Sequence, residues 1–213
     1  MIGMSYAGPI PVGACSVPTI SPSYASLLGP SWSKLPVRTR ARFGVEREMV
    51  CYHGRVVVSD CTLLGRLFRQ LARLVGSPLP FDGTIGPATV VVMATGGGSS
   101  SWTRVYRRNG GRAQAIRSVK RFDGPTGLEE YLGFGLCMAL RVRAENASLL
   151  FESAGYSWAL GNARIPLPSW LTPGRLLVRS TELAAPCFRF CLTLSHPRFG
   201  EVLRQEAVFE DPS

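Results

Sequence analysis

Lysine is almost missing from this chain. Of 24 basic residues in 213, only Lys34 and Lys120 are lysines, and the other 22 are arginines. Compositional bias of a genome produces such a skew. The net charge of +10 is therefore weak grounds for a nucleic-acid partner, although a positive field favours anionic ligands. Histidine is as scarce: His53 and His196 are the only two, and the six cysteines contain no Cys-x-x-Cys pair. No zinc or other metal site is expected. Cys187 and Cys191 lie ~13 Å apart along one expected strand, too far for a disulfide. Reduced thiols and a cytoplasmic location follow as expectations.

No apolar run approaches the ~18 residues of a spanning helix, so integral membrane association is not expected. The first basic residue is Lys34, and Pro9, Pro11 and Pro18 break the apolar residues before it. That pattern does not fit an export signal. Gly96-Gly97-Gly98 leads into three serines and a strand rather than Gly-Lys-Ser/Thr and a helix, and no Gly-x-Gly-x-x-Gly follows a strand. A nucleotide cofactor is not indicated.

What is present begins with one amphipathic helix. Leu63, Leu64, Leu67, Phe68, Leu71, Leu74 and Val75 recur at three- and four-residue spacing, with Arg66, Arg69 and Arg73 opposite. Ser59 or Asp60 suits its start; Gly76 and Pro78 suit its end. Nearly everything after it alternates as strand. Met49–Tyr52 and Arg55–Val58 read as a hairpin about His53-Gly54, Asn109-Gly110 as a tight turn, and 165–174 as a crossing loop with Trp170 and Leu171 tucked inward. The expected architecture is α+β, predominantly antiparallel β. A strongly curved or partly closed sheet of about eight or nine strands packs around the one helix. Residues 1–36 read as a Pro-rich, partly disordered arm, within which Tyr24–Leu35 packs as a short element, and 37–213 as one domain.

An ordered set of segments carries a family resemblance. It comprises Arg40-Ala41-Arg42-Phe43, Gly76 to Pro80, Trp102 to Tyr106, Gly133-Phe134-Gly135 with Met138 and Leu140, and Leu149 to Ser153 with Tyr156. It continues through Pro168 to Gly174, His196 to Glu201, and Gln205, Phe209 and Asp211. Together these resemble the bacterial DUF4166 family, a domain of unknown function, over roughly Tyr24 to Asp211. The resemblance implies no activity. It does imply dehydrogenase-like proteins as partners, since family members resemble modules attached to such domains.

Among candidate sites, Trp102, Arg104 and Tyr106 occupy alternate positions of one strand and project from one face. Arg104 is suited to fork two hydrogen bonds to a carboxylate or phosphate between aromatic walls, with Gln205 and Glu201 opposite. The same residues suit a solvated aromatic ladder. Arg107, Arg108, Arg112, Arg117, Lys120 and Arg121 read as a solvated basic hairpin. Glu130 or Glu201 with His196 are the acid–base candidates. Ser118 and Ser153 lack a nucleophile-elbow sequence, so no hydrolase triad is expected. The leading expectation is a non-enzymatic module that binds a small amphipathic or anionic ligand. An enzyme of unassigned type in the same cavity, or a protein-interaction module, stands as the alternative.

Overall fold

The computed structural model describes residues 22–45, 47–74, 85–107, 113–161 and 163–212. Eleven strands form one antiparallel sheet. They are β1 (Met49–Cys61), β2 (Gly86–Gly96), β3 (Ser99–Arg107), β4 (Ala113–Arg121), β5 (Glu129–Gly133), β6 (Leu136–Glu145), β7 (Ser148–Leu160), β8 (Ala163–Pro166), β9 (Arg175–Glu182), β10 (Cys187–His196) and β11 (Gly200–Glu210). Each pairs with its neighbour in sequence, except that β9 passes over β8 to join β7. Because β11 returns to β1, the meander closes on itself, leaving ten strands in a barrel and β8 as a short addition to the outer half of β7. Closure removes the unpaired edges that a curved open sheet would expose.

The partly closed sheet of eight or nine strands thus becomes a closed barrel of ten plus one. Met49–Cys61 is one strand, not a hairpin. Gly54 is there for closeness, not for turning: a Cβ on it would lie 2.1 Å from the Val208 carbonyl oxygen of the neighbouring strand. Two strands carry little apolar signal, β5 because it opens on two glutamates and β8 because it is four residues ending in proline. The expected crossing loop is in part β8, and Trp170 and Leu171, on a 3₁₀ turn (Ser169–Leu171) in the connection that follows it, are 78% and 58% exposed, not tucked inward. The expected helix stop at Gly76 and Pro78 and the turn at Asn109-Gly110 lie outside the described residues.

The sheet does not wrap around the amphipathic helix. That helix, α3 (Leu63–Leu74, after α1, Tyr24–Leu28, and α2, Val37–Gly44), lies at the end where β1 leaves the barrel. Its start is capped by Thr62, whose hydroxyl accepts from the Gly65 N–H, rather than by Ser59 or Asp60. Gly65 rests against β11, where a Cβ would meet the Val202 carbonyl at 2.2 Å. Among the described side chains of α3, Leu64 and Phe68 pack down, onto Leu194, Val202 and Leu203, while Leu63 and Leu67 stand 81% and 54% exposed. Leu67→Glu should therefore change unfolding free energy by no more than about 0.5 kcal/mol, as at other surface positions. A urea titration checks this; a loss of several kcal/mol would mean that the exposed leucine face is packed after all.

The opposite end is stoppered by α1 and α2, joined by a 3₁₀ turn over Gly29–Lys34. Ser23 caps α1 in a reciprocal box with Ser26, and Tyr24, Leu28, Leu35 and Phe43 enter the main core. The Tyr24 ring meets Phe43, Phe122 and Phe151 with centroids 5.1–5.8 Å apart. Arg42, next to Phe43, is 2% exposed. It donates to Glu182 Oε1 at 2.7 Å and to both Asp211 oxygens at 2.8 and 2.9 Å, and its guanidinium lies 3.5 Å over the Phe188 ring. Thr39 donates to the same Glu182 oxygen at 2.6 Å. One short helix is thereby fixed to the ends of β9 and β11.

Candidate functional site

The interior of the barrel is read off the alternation of β3, β4 and β5. On β3, Trp102, Arg104 and Tyr106 turn inward; the register sets Ser118 of β4 opposite Trp102 and Ile116 opposite Arg104. On β4 the buried positions are Gln114, Ile116, Ser118 and Lys120. Lys120 faces Glu130 across the β4–β5 pair. Alternation therefore gathers a guanidinium, an ammonium, a hydroxyl and a carboxylate on one wall.

They are bonded to one another. Glu130 Oε2 takes Lys120 Nζ at 3.0 Å, and its Oε1 accepts from Arg104 Nη2 at 3.2 Å and from the Ser118 hydroxyl in a very short hydrogen bond. Arg104 also donates to Ser118 Oγ at 3.1 Å. The Lys120 ammonium lies 4.7 Å over the Trp102 ring. Burial would raise the Glu130 carboxyl, but Lys120, Arg104 and the Ser118 hydroxyl outweigh it and hold the group down at about 2. For Lys120 the balance runs the other way: burial and repulsion from Arg104 exceed the attraction of the single anion, and it falls to about 8. Two cations against one anion leave the cluster at +1.

This wall borders a cavity of about 130 Å³ between Phe43 of the stopper and the α3 end. Its other sides are mostly apolar, among them Leu140, Phe151, Val178, Phe190 and Phe209, and Arg117 also lines it. A water claims about 30 Å³ and a cavity of about 150 Å³ takes up benzene, so the space suits one compact organic molecule and excludes a long acyl chain. Gln205, on β11, lines it from across the barrel. It is 5% exposed, and its Nε2 has no hydrogen-bond partner among the described residues. An orphaned buried amide costs about 1–3 kcal/mol, a cost that a ligand acceptor would remove. Burial raises the Tyr106 phenol on the same cavity, keeping it a neutral hydroxyl.

Four of the anticipated positions, Trp102, Arg104, Tyr106 and Gln205, line this one space, and Glu130 joins them. His196 and Glu201 do not. His196 sits at the end of the β10–β11 hairpin, stacked 5.7 Å from Phe68 and tilted against Phe199 at 5.0 Å, and Glu201 is exposed beside it. Ser118 and Lys120 belong to the cluster, although the run of basic residues points to a solvated hairpin for Lys120 and the sequence around Ser118 carries no nucleophile elbow. Period-two counting from Ile116 would have placed both inside. Neighbouring Glu129 points away from Glu130 and is 1% exposed, held by Arg121 at 2.9 Å and by Arg164 of β8. A wider recess of about 490 Å³ runs between the stopper and β1–β3 and adjoins Pro22, the first described residue. Among the described residues, no three His, Cys, Asp or Glu side chains are grouped to hold a metal, and no helix is long and apolar enough to cross a membrane.

The family model described as "Domain of unknown function (DUF4166)" matches residues 35–209. No curated protein and no solved structure matches the chain.

Proposed function

The chain belongs to the DUF4166 family, a domain of unknown function, so its role has to be read from its own geometry, and we propose that it binds a small, mostly apolar molecule carrying one negative charge. The observation that carries this reading is a mostly apolar cavity with a charged cluster of net charge +1 on one wall and Arg117 also in its lining, faced by an amide that lacks a partner among the described residues. A ten-stranded barrel encloses more space than its own side chains readily fill, which is where such barrels hold ligands. Arg104 still has N–H groups free of Glu130 and Ser118, and one face of the guanidinium borders the cavity. A carboxylate there would be held by charge-assisted hydrogen bonds, its hydrocarbon part resting on the phenylalanines.

Binding is preferred to acid–base chemistry by Glu130 or Glu201 with His196. Those groups are divided between the interior and the outer hairpin, and a carboxyl held as low as Glu130 is a weak base. The probe is 4-methylpentanoate, titrated by calorimetry beside native mass spectrometry of protein from its own host. Arg104→Met should weaken binding at least about tenfold, the equivalent of 1.4 kcal/mol, and leave the uncharged analogue 4-methylpentanamide little affected. If no small carboxylate binds and nothing co-purifies, the reading fails.

A further inference from the structure

We propose that Lys120 captures a carbonyl group of the bound molecule as an imine, so that the ligand class narrows to small branched 2-oxo acids. The inference rests on the binding reading above and goes beyond it. Its first support is the position of the amine. Lys120 is 6% exposed, borders the cavity, and has a carboxylate 3.0 Å away and a guanidinium within the same cluster. An amine desolvated beside a second cation is the setting in which lysine becomes a nucleophile. The depressed ammonium described above agrees with this, since near pH 8 a sizeable share is uncharged.

The second support is independent of the geometry. This chain uses arginine at 22 of its 24 basic positions, and Lys34, the one other lysine, is exposed. A buried cation needed only to balance Glu130 could be arginine, which also forks better and is less costly to desolvate. Arginine cannot lose its proton or form an imine. The exception falls on the cavity-lining residue that the β4–β5 register sets directly opposite Glu130.

The chemistry balances without a further reactant. The Nζ lone pair of the uncharged amine adds to the ligand carbonyl carbon as the C=O π pair moves onto oxygen, and that oxygen takes up one proton from Nζ and one from solvent. That oxygen leaves as water as the C=N bond closes. One ammonium and one carbonyl become one iminium and one water, so the charge of the cluster is unchanged and Glu130 remains as counter-ion. The ligand carboxylate meets Arg104. Gln205 stands three strands from Arg104, about 14 Å along the wall at ~4.8 Å per strand, and the two side chains converge from there into the cavity.

The test is reductive trapping. Full-length protein is incubated with 4-methyl-2-oxopentanoate and cyanoborohydride at about pH 8, then examined by intact mass and peptide mapping. The expected product is a single adduct of ligand mass less one oxygen, on Lys120, absent from Lys120→Arg and retained in Lys34→Arg. 4-Methylpentanoate, which lacks the ketone, should compete with trapping. Labelling of Lys34 or the amino terminus alone, or an unlabelled protein that still binds 4-methylpentanoate, overturns the imine and leaves the binding reading standing. Failure of both compounds to bind overturns the two together.

Discussion

Arg42→Met is expected to lower unfolding free energy by about 3 kcal/mol or more, read as a shift in urea midpoint at unchanged slope. The arginine is nearly inaccessible, and its two carboxylate partners are only 15% and 20% exposed. Methionine would keep the packing against Phe188 but strip Glu182 of its only ion-pair partner among the described residues, leaving it the Thr39 hydroxyl; Asp211 would retain Arg38 at 3.1 Å. Breaking a buried pair from one side costs about 3–5 kcal/mol because a charge is left without compensation. The remaining contact to Arg38 places this case near the lower end. Arg42→Met with Glu182→Gln should recover part of the loss. If the single variant is as stable as the parent, the stopper is not held by these bonds, and the cavity behind it is not permanently closed on that side.

Arg42 also shows where sequence reasoning stops. Hydrophobicity alone points to the most strongly amphipathic segment, Leu63–Leu74, as the one to fill the sheet. The segment that does so, Val37–Gly44, carries three arginines and one phenylalanine. Nothing local distinguishes an arginine destined for two carboxylates 140 and 169 residues away. Closure of the barrel is equally remote, since β1 meets β11 only after the whole meander has been laid down. The row of Trp102, Arg104 and Tyr106 was legible because period two is a local rule, and so was a β-dominated chain. Whether that row holds a ligand inside or stands as a solvated ladder stays open in the sequence, because nothing local brings Glu130 beside Arg104. The arginine neighbours of Lys120 point it outward, although Ile116 fixes the inward parity of β4.

Glu130→Ala should be the other costly change, again about 3–5 kcal/mol, since it leaves Lys120 and Arg104 facing each other with no anion between them. The sign of its pH dependence separates this from simple loss of packing. In the parent, Glu130 is pushed down from 4.5 to about 2, so the folded state binds fewer protons there. The stabilisation is complete above about pH 4.5 and is lost as pH falls toward 2. Lys120 is also pushed down, from 10.5 to about 8. It weighs against the fold below pH 8, and that burden is relieved as pH rises from about 8 to 10.5. Stability curves should therefore show a loss on the acid side and a gain on the alkaline side. Without Glu130 the acid loss shrinks, and the alkaline gain begins at lower pH because the buried ammonium has lost the carboxylate at 3.0 Å. Glu130→Leu with Lys120→Met, which removes both charges and keeps the volume apolar, should restore most of the stability while abolishing trapping of the oxo acid. A Glu130→Ala protein with parental stability and an unchanged acid limb would mean that the two cations are already solvated. The polar corner would then be open water, and the case for a ligand head group at Arg104 would go with it.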